Sequence, residues 1–326
     1  LSRLSVLLPL YNARSTLERA WRSLRWQTFT DWEAVVVDDG STDGSLELAA
    51  RLAEEDPRLK LLPRPHEGLV AALNAGLAHC QAPLVARMDA DDLCHPRRLE
   101  LQVEYLETHP QTWVVGSLVR IFPRATLTPG MAVYEEWLNS LLEPEQMARE
   151  IFVESPLVHP SVVLRREALE RLGGYRQAGW AEDYDLWLRM WEAGGRFGKV
   201  DRVLFWWRDW PGRLTRTSPA CDIEAFVRLK VEFLLRTHLA GEGPVLLWGA
   251  TRSGRRFLRE LRRRGVEVAA LVDPHPGPPG RRVGGLPVLS PEQLPPEPLL
   301  LVAAGLRARH HVGRLLGPRP RVVWVG

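Results

Sequence analysis

The stretch Leu84-Val85-Ala86-Arg87-Met88-Asp89-Ala90-Asp91-Asp92 sets a mostly apolar run directly against three carboxylates. A short apolar run that stops at acidic residues reads as a buried strand delivering polar side chains to a sheet edge. The same form occurs at Ala34-Val35-Val36-Val37-Asp38-Asp39-Gly40-Ser41. Working outward, strands are expected at residues 6–8 and 59–62, with helices at 16–27, 45–54 and 69–79 between them. Repeated strand–helix units predict an α/β fold with a mostly parallel central sheet flanked by helices. In such sheets ligands collect outside the carboxyl ends of the strands. Asp38, Asp39, Asp89 and Asp91 all follow strands, so one edge should gather them.

The remaining chain continues the pattern less regularly. Strands are expected at 113–116, 161–164 and 203–207, a helix at 183–193, an arginine-containing loop at 209–220 and a long helix at 223–239. From Gly243 a new alternation begins, with strands at 245–249, 268–272, 299–303 and 322–325, a helix at 254–264 and a Pro/Gly loop at 274–285. The expected organisation is a first domain over 1–220, a linker helix over 221–242 and a small basic Rossmann-like accessory domain over 243–326.

Composition agrees with two domains. The chain has 326 residues, 45% hydrophobic and 25% charged, as in a folded globular protein. A disordered tail, a collagen-like chain and a coiled-coil rod are excluded. No run of 18 apolar residues suggests a membrane span, and Leu1-Ser2-Arg3-Leu4-Ser5 does not open like a signal peptide. Cys80, Cys94 and Cys221 form no C-x-x-C pair, which points to free thiols in a reducing cytoplasm. Of the overall net charge of +3, the segment from Gly243 carries 14 arginines against five acids, and the rest of the chain is net negative. Such a block suits an anionic partner, though a solvated arginine-rich surface is the plainer reading.

Three short stretches carry chemistry. Asp89 and Asp91, two apart beyond a strand, suit a hard divalent cation such as Mg²⁺ or Mn²⁺; a turn leading into a helix cap reads equally well. No EF-hand is present, since the central Gly and closing Glu are missing. Asp39 after its strand can accept hydrogen bonds from a ribose or base edge, and also suits an Asp-Gly turn. Glu182 and Asp183 open a helix, where acids are ordinary dipole partners and where one can serve as a general base.

Taken together and in order, these stretches resemble glycosyltransferase family 2, the inverting enzymes with the GT-A fold. The resemblance is carried by Leu4 through Asn12, Ser23 through Phe29, Glu33 through Asp43, Leu73-Asn74-Ala75-Gly76, Arg87 through Asp92, Pro96 through Gln102, His159-Pro160-Ser161 and Glu182-Asp183. It covers about residues 4–218 and implies a GT-A nucleotide-sugar-binding domain. By that resemblance Pro9, Tyr11 and Asp39 hold the nucleoside, with Tyr11 against the base, and Asn74 joins the donor site. Asp89 contacts ribose or donor sugar, and Asp91 binds Mn²⁺ or Mg²⁺ on the diphosphate. Asp183 is the catalytic base. Arg213 or Arg216 closes over the diphosphate, His159 is a candidate metal ligand, and Trp180 with Glu182 faces the acceptor. The donor is a UDP-, GDP- or dTDP-sugar and the acceptor a saccharide or lipid-linked glycan. No nucleic acid partner and at most peripheral membrane contact are expected.

Other readings compete. Asp89-Ala90-Asp91 after a strand also occurs in haloacid-dehalogenase-type phosphatases, but Leu93 stands where that family places Thr or Val. A non-catalytic nucleotide-sugar sensor or scaffold would keep the donor residues without turnover. Gly249-Ala250-Thr251-Arg252-Ser253-Gly254 follows a strand like a dinucleotide loop, yet lacks the middle glycine of G-x-G-x-x-G. That departure argues against an NAD-dependent oxidoreductase.

Overall fold

The apolar run Leu4–Leu10 is buried at every position, as a parallel strand covered on both faces must be. The computed structural model describes residues 2–295, 297–317, 319 and 321–326. Leu1, the first residue of the stretch that does not open like a signal peptide, lies outside the described residues. The chain divides into two compact units. One runs to Ala148 and includes Pro156–Ala178 and Glu182–Arg213; the other takes Arg149–Ser155, Gly179–Ala181 and Leu214–Gly326.

In the first unit the strands are β1 (Leu4–Leu10), β2 (Trp32–Asp39), β3 (Leu59–Arg64), β4 (Leu84–Arg87), β5 (Leu93–Cys94), β6 (Thr112–Phe122), β7 (Val163–Arg165) and β8 (Arg196–Arg208). They form one sheet in the order β3-β2-β1-β4-β7-β6-β8-β5. Helices α1 (Leu17–Arg25), α2 (Ser45–Glu55) and α3 (Leu69–His79) connect the first four strands, which are mutually parallel. The chain steps outward from β1 to β2 and β3, then α3 carries it back to β4 on the other side of β1. This reversal of strand order opens a crevice at the carboxyl ends of β1 and β4. Beyond β4 the sheet becomes mixed: β7 is antiparallel to both β4 and β6, and β5 is antiparallel to β8.

Two devices fix this half. A Cβ on Gly76 would come within 2.3 Å of Leu7 Cδ1 and 2.7 Å of Val37 Cγ2, so α3 lies this close to β1 and β2 only with glycine there. Arg98 opens α4 (Arg98–Thr108) and is wholly buried. It donates to the carbonyls of Arg87 (2.7 Å) and Val162 (3.2 Å) and to Gln102 Oε1 (3.0 Å). The carbonyl of Arg87, at the end of β4, thereby gains a donor.

Some expectations shift. The strand expected at 161–164 begins at Val163, because His159–Ser161 forms a 3₁₀ turn around Pro160. The strand expected at 203–207 is the far half of β8; Lys199, Asp201 and Arg202 interrupt its apolar signal. Helices α5 (Pro129–Ser140), α6 (Pro144–Glu150) and α7 (Arg166–Arg171) were not anticipated, whereas α8 (Glu182–Glu192) was.

The second unit contains α9 (Leu214–Thr217), α10 (Ile223–Arg236), α11 (Arg252–Arg263) and α12 (Arg309–Leu316). Its strands are β9 (Val245–Trp248), β10 (Val268–Val272), β11 (Arg282–Val283), β12 (Leu286–Leu289), β13 (Leu300–Val302) and β14 (Val322–Trp324), in the order β11-β12-β10-β9-β13-β14. All pairs are parallel except β11–β12, a hairpin within and beyond the expected loop. Its turn, Gly284-Gly285, takes positive φ at both residues (58° and 81°), as a tight two-residue hairpin requires. The boundary expected at residue 220 needs correcting. Helix α10 is no free linker: it buries Ala225, Val227, Leu229, Val231, Phe233 and Leu234 and belongs with this unit.

Lys199 on β8 is buried and donates to the carbonyls of Leu138 (2.6 Å) and Pro156 (3.1 Å). Burial pulls its ammonium down to about 7. The unfolded chain therefore holds this proton more tightly than the folded one between pH 7 and the ordinary lysine range, so stability rises with pH across that window. The unfolding free energy of wild type, from urea titrations, should gain about 1 kcal/mol per pH unit relative to Lys199→Met between those limits. Parallel pH profiles for the two proteins would contradict this.

Candidate active site

The crevice between β1 and β4 collects side chains from three strand ends. Pro9 is a late residue of β1. Leu7 accepts from Met88 N–H at 3.1 Å and is the last residue of β1 paired with β4, so the missing N–H of Pro9 breaks no rung there. Next comes Tyr11, whose ring is 47% exposed and stacks on His66 at 4.2 Å and 17°. Asn12 follows at φ 48° and caps the neighbouring loop, accepting from Thr42 N–H at 2.8 Å.

At the end of β2, the buried carboxylate of Asp39 accepts from the backbone N–H of Glu67 and Gly68, both at 2.9 Å. His66 Nδ1 lies 2.8 Å from Asp39 Oδ2. Asp39 thus braces the 66–68 loop that supports Tyr11, and its Oδ1, with a single partner, retains a second lone pair. Asp38 accepts from Ser41 N–H at 3.1 Å, and its other oxygen is buried without a partner.

At the end of β4, single ligand oxygens of Asp89, Asp91 and Asp92 lie within 4.8 Å of one another. Asp89 accepts from Arg87 Nη1 at 2.6 Å. Asp91 Oδ2 accepts from the indole N–H of Trp210 at 2.9 Å, and its carbonyl from Arg208 Nε at 2.7 Å. Asp92 Oδ1 accepts from Arg208 N–H at 2.7 Å, while Oδ2 is buried with no partner. Burial, then the charge of Asp89, raises the pKa of Asp91 and raises that of Asp92 well above the carboxylate range. The charge of Arg213 opposes both shifts. An all-oxygen donor set, crowded negative charge and an orphaned buried carboxylate oxygen together fit a hard divalent cation.

Asp92 and Arg87 are the residues that sequence reasoning left out of the site. Arg87 is 2% exposed at the end of an apolar strand, and burial works against its charge. The adjacent Asp89 more than offsets this, and Tyr175 and Glu182 act in the same direction. A charged residue closing an apolar run, two positions before the first Asp, was the available signal.

Asp183 stands in the first turn of α8 and accepts from Tyr184 N–H at 2.7 Å. Its neighbour Glu182 is pushed up by burial. His159, a candidate metal ligand by the resemblance, has protein partners on both ring nitrogens. It is not among the triad ligands: Nε2 pairs with the Tyr175 hydroxyl at 2.9 Å, and Nδ1 lies 3.6 Å from Glu182 Oε1. Burial, reinforced by Arg87, pulls it down to about 3, so it sits neutral as a structural hydrogen-bonding group. Asn74 is likewise engaged elsewhere. Its amide donates to Tyr175 O and accepts from Tyr175 N–H, both at 2.9 Å, fastening α3 to the segment before α8. Arg213 lies over the Trp207 ring at 4.1 Å and 3.7 Å from Asp209. Trp180 and Arg216 belong to the second unit.

A family model described as Glycosyl transferase family 2 matches residues 5–173. The amylovoran biosynthesis glycosyltransferase AmsE of Erwinia amylovora is 36% identical over 203 residues, covering 61% of this chain and 74% of AmsE. Among solved structures, residues 1–349 of S. aureus TarS in complex with UDP align with a TM-score of 0.57 at 18% identity. That alignment covers 80% of this chain and 71% of the other. The mannosyltransferase PcManGT of Pyrobaculum calidifontis, in complex with GDP-Man and Mn²⁺, aligns with a TM-score of 0.55 at 22% identity, over 80% and 68% of the two chains. The fold is that of GT-A enzymes, and the chain belongs to glycosyl transferase family 2.

Proposed function

We propose that the protein transfers a sugar from a nucleoside diphosphate donor to an acceptor hydroxyl, with inversion at the anomeric carbon and with Mn²⁺ or Mg²⁺ at the carboxylate triad. The observation that carries this reading is the convergence of Asp89, Asp91 and Asp92 at the crevice where strand order reverses. The UDP and GDP-Man complexes of the two structural neighbours support the donor class, and the Mn²⁺ of one supports the metal.

Asp91 and Asp92 would hold the cation, which supplies charge stabilisation to the departing diphosphate. Arg87 fixes Asp89 toward the ribose or donor sugar. Tyr11 offers its exposed ring to the base, with Asp39 at the base edge and Pro9 beneath. Arg213 adds positive charge toward the diphosphate. The acceptor oxygen attacks C1 as the C1–O bond to the diphosphate breaks, and Asp183 takes the hydroxyl proton. Glu182 orients the acceptor. The setting is assembly of a surface polysaccharide or glycolipid at the cytoplasmic face, a reading supported by the name of AmsE. Among the described residues no helix is long and apolar enough to cross a membrane.

Nucleoside diphosphate release should be measured across UDP-, GDP- and dTDP-sugars with Mn²⁺, Mg²⁺ or EDTA. One donor should hydrolyse slowly, and the rate should fall about a hundredfold or more in EDTA and in Asp91→Asn. Absence of both turnover and calorimetric binding for every donor would overturn the reading. With an acceptor in hand, Asp183→Asn should keep donor affinity and lose roughly 10²- to 10⁴-fold in transfer rate. A simultaneous loss of donor affinity would place Asp183 in the donor site instead.

A further inference from the structure

The second unit carries a second chemistry on α11. Helix α11 and the residue after it contain Arg252, Arg255, Arg256, Arg259, Arg262, Arg263 and Arg264, with Glu260 as the sole acid. At 100° per residue, the first six of these arginines fall within about 120° of one face. Gly254, Phe257, Leu258 and Leu261 occupy the opposite, buried face. Among the described residues the acidic partners of these arginines are Glu224, Glu232 and Glu260, and Glu224 also reaches Arg259 at 3.9 Å. Glu224 on α10 pairs with Arg256 at 2.9 Å, and Glu232 pairs with Arg264. Glu260 reaches Arg263 at 3.8 Å. Among the described residues no carboxylate comes within 4.0 Å of Arg252, Arg255 or Arg262, and all three are exposed. A cleft of about 440 Å³ opens beside this face, lined by Arg252, Arg255, Arg256, Arg259 and Glu224. The β11–β12 hairpin adjoins it at Gly284, next to Arg262, and adds the exposed Arg281 and Arg282.

We propose that this arginine face docks the protein on an anionic lipid surface. Guanidinium groups are weakly hydrated and pair bidentately with phosphate oxygens, the groups that lipid headgroups present. A surface that merely needed solubility would intersperse both signs, as the net-negative first 242 residues do with 29 basic and 35 acidic side chains. Ile223, next to Glu224 at the flank of the face, is 49% exposed, an apolar contact that suits acyl chains rather than a nucleic acid backbone. The inference rests on the second unit alone and stands apart from the donor chemistry.

Vesicle flotation of the full chain tests it. Vesicles of phosphatidylcholine containing phosphatidylglycerol should bind at about 0.1 M salt, release the protein at about 1 M salt, and outcompete vesicles of phosphatidylcholine alone. The triple variant Arg255→Gln/Arg259→Gln/Arg262→Gln keeps good helix formers at exposed sites. It should bind about a hundredfold more weakly, at roughly fivefold per arginine, with an unchanged circular dichroism melt. The proposal is overturned if wild type ignores anionic vesicles or binds neutral ones equally. It is also overturned if the folded triple variant binds undiminished, or if a DNA duplex binds more tightly than the vesicles at equal salt. The lipid and salt comparisons use wild type only, so they decide the matter even if the variant does not fold.

Discussion

Three carboxylates held within 5 Å of one another repel, and the surrounding fold is arranged to contain that repulsion. Arg87 answers from within β4, and Arg208 answers from the end of β8 with both its backbone and its side chain. Arg213 adds its charge from the segment beyond. None of these groups saturates the cluster, because one buried oxygen of Asp92 keeps no partner. A fully neutralised cluster would be inert scaffolding. The negative charge left over is of the kind that a hard divalent cation would offset.

That cluster depends in turn on backbone placement. Its three residues follow a strand of only four, and the carbonyl of Arg87 is held by the buried guanidinium of Arg98. Gln27, from the α1–β2 connection, performs a related service. It donates to His95 O at 2.8 Å and accepts from Leu99 N–H at 2.9 Å. Gln27, Asn74 and Arg98, which stand in recognisable motifs, join segments far apart in sequence so that the strand ends stay in register.

This division explains what could be read in advance. The first four strands and their helices were legible because buried parallel strands are continuous apolar runs bounded by turn residues. Asp39, Asp89, Asp91 and Asp183 were legible as acids at strand or helix ends. The mixed half of the sheet was harder: β8 contains Lys199, Asp201 and Arg202, and only tertiary pairing with β6 makes it one strand. His159 and Asn74 show the other limit. A histidine or an asparagine in a motif announces that its polar atoms have partners, but not whether those partners are ligand or backbone. Asp92 was left out of the site, and only the coordinates reveal its bare oxygen.

The chain's path through its two units carries one more consequence. The second unit is not a simple C-terminal appendage, since it includes Arg149–Ser155 and Gly179–Ala181. The Lys230 ammonium, on α10, is buried between the carbonyls of Val153 (2.7 Å) and Val325 (3.3 Å), and Arg309 pairs with Glu150. Phe152 meets His238 edge to face at 5.2 Å. Cutting the gene after residue 213 would leave those inserted segments without their partners and bare apolar side chains such as Phe152. The two halves are thus inherited as one folding commitment, and the catalytic portion cannot be lifted out as an independent cassette.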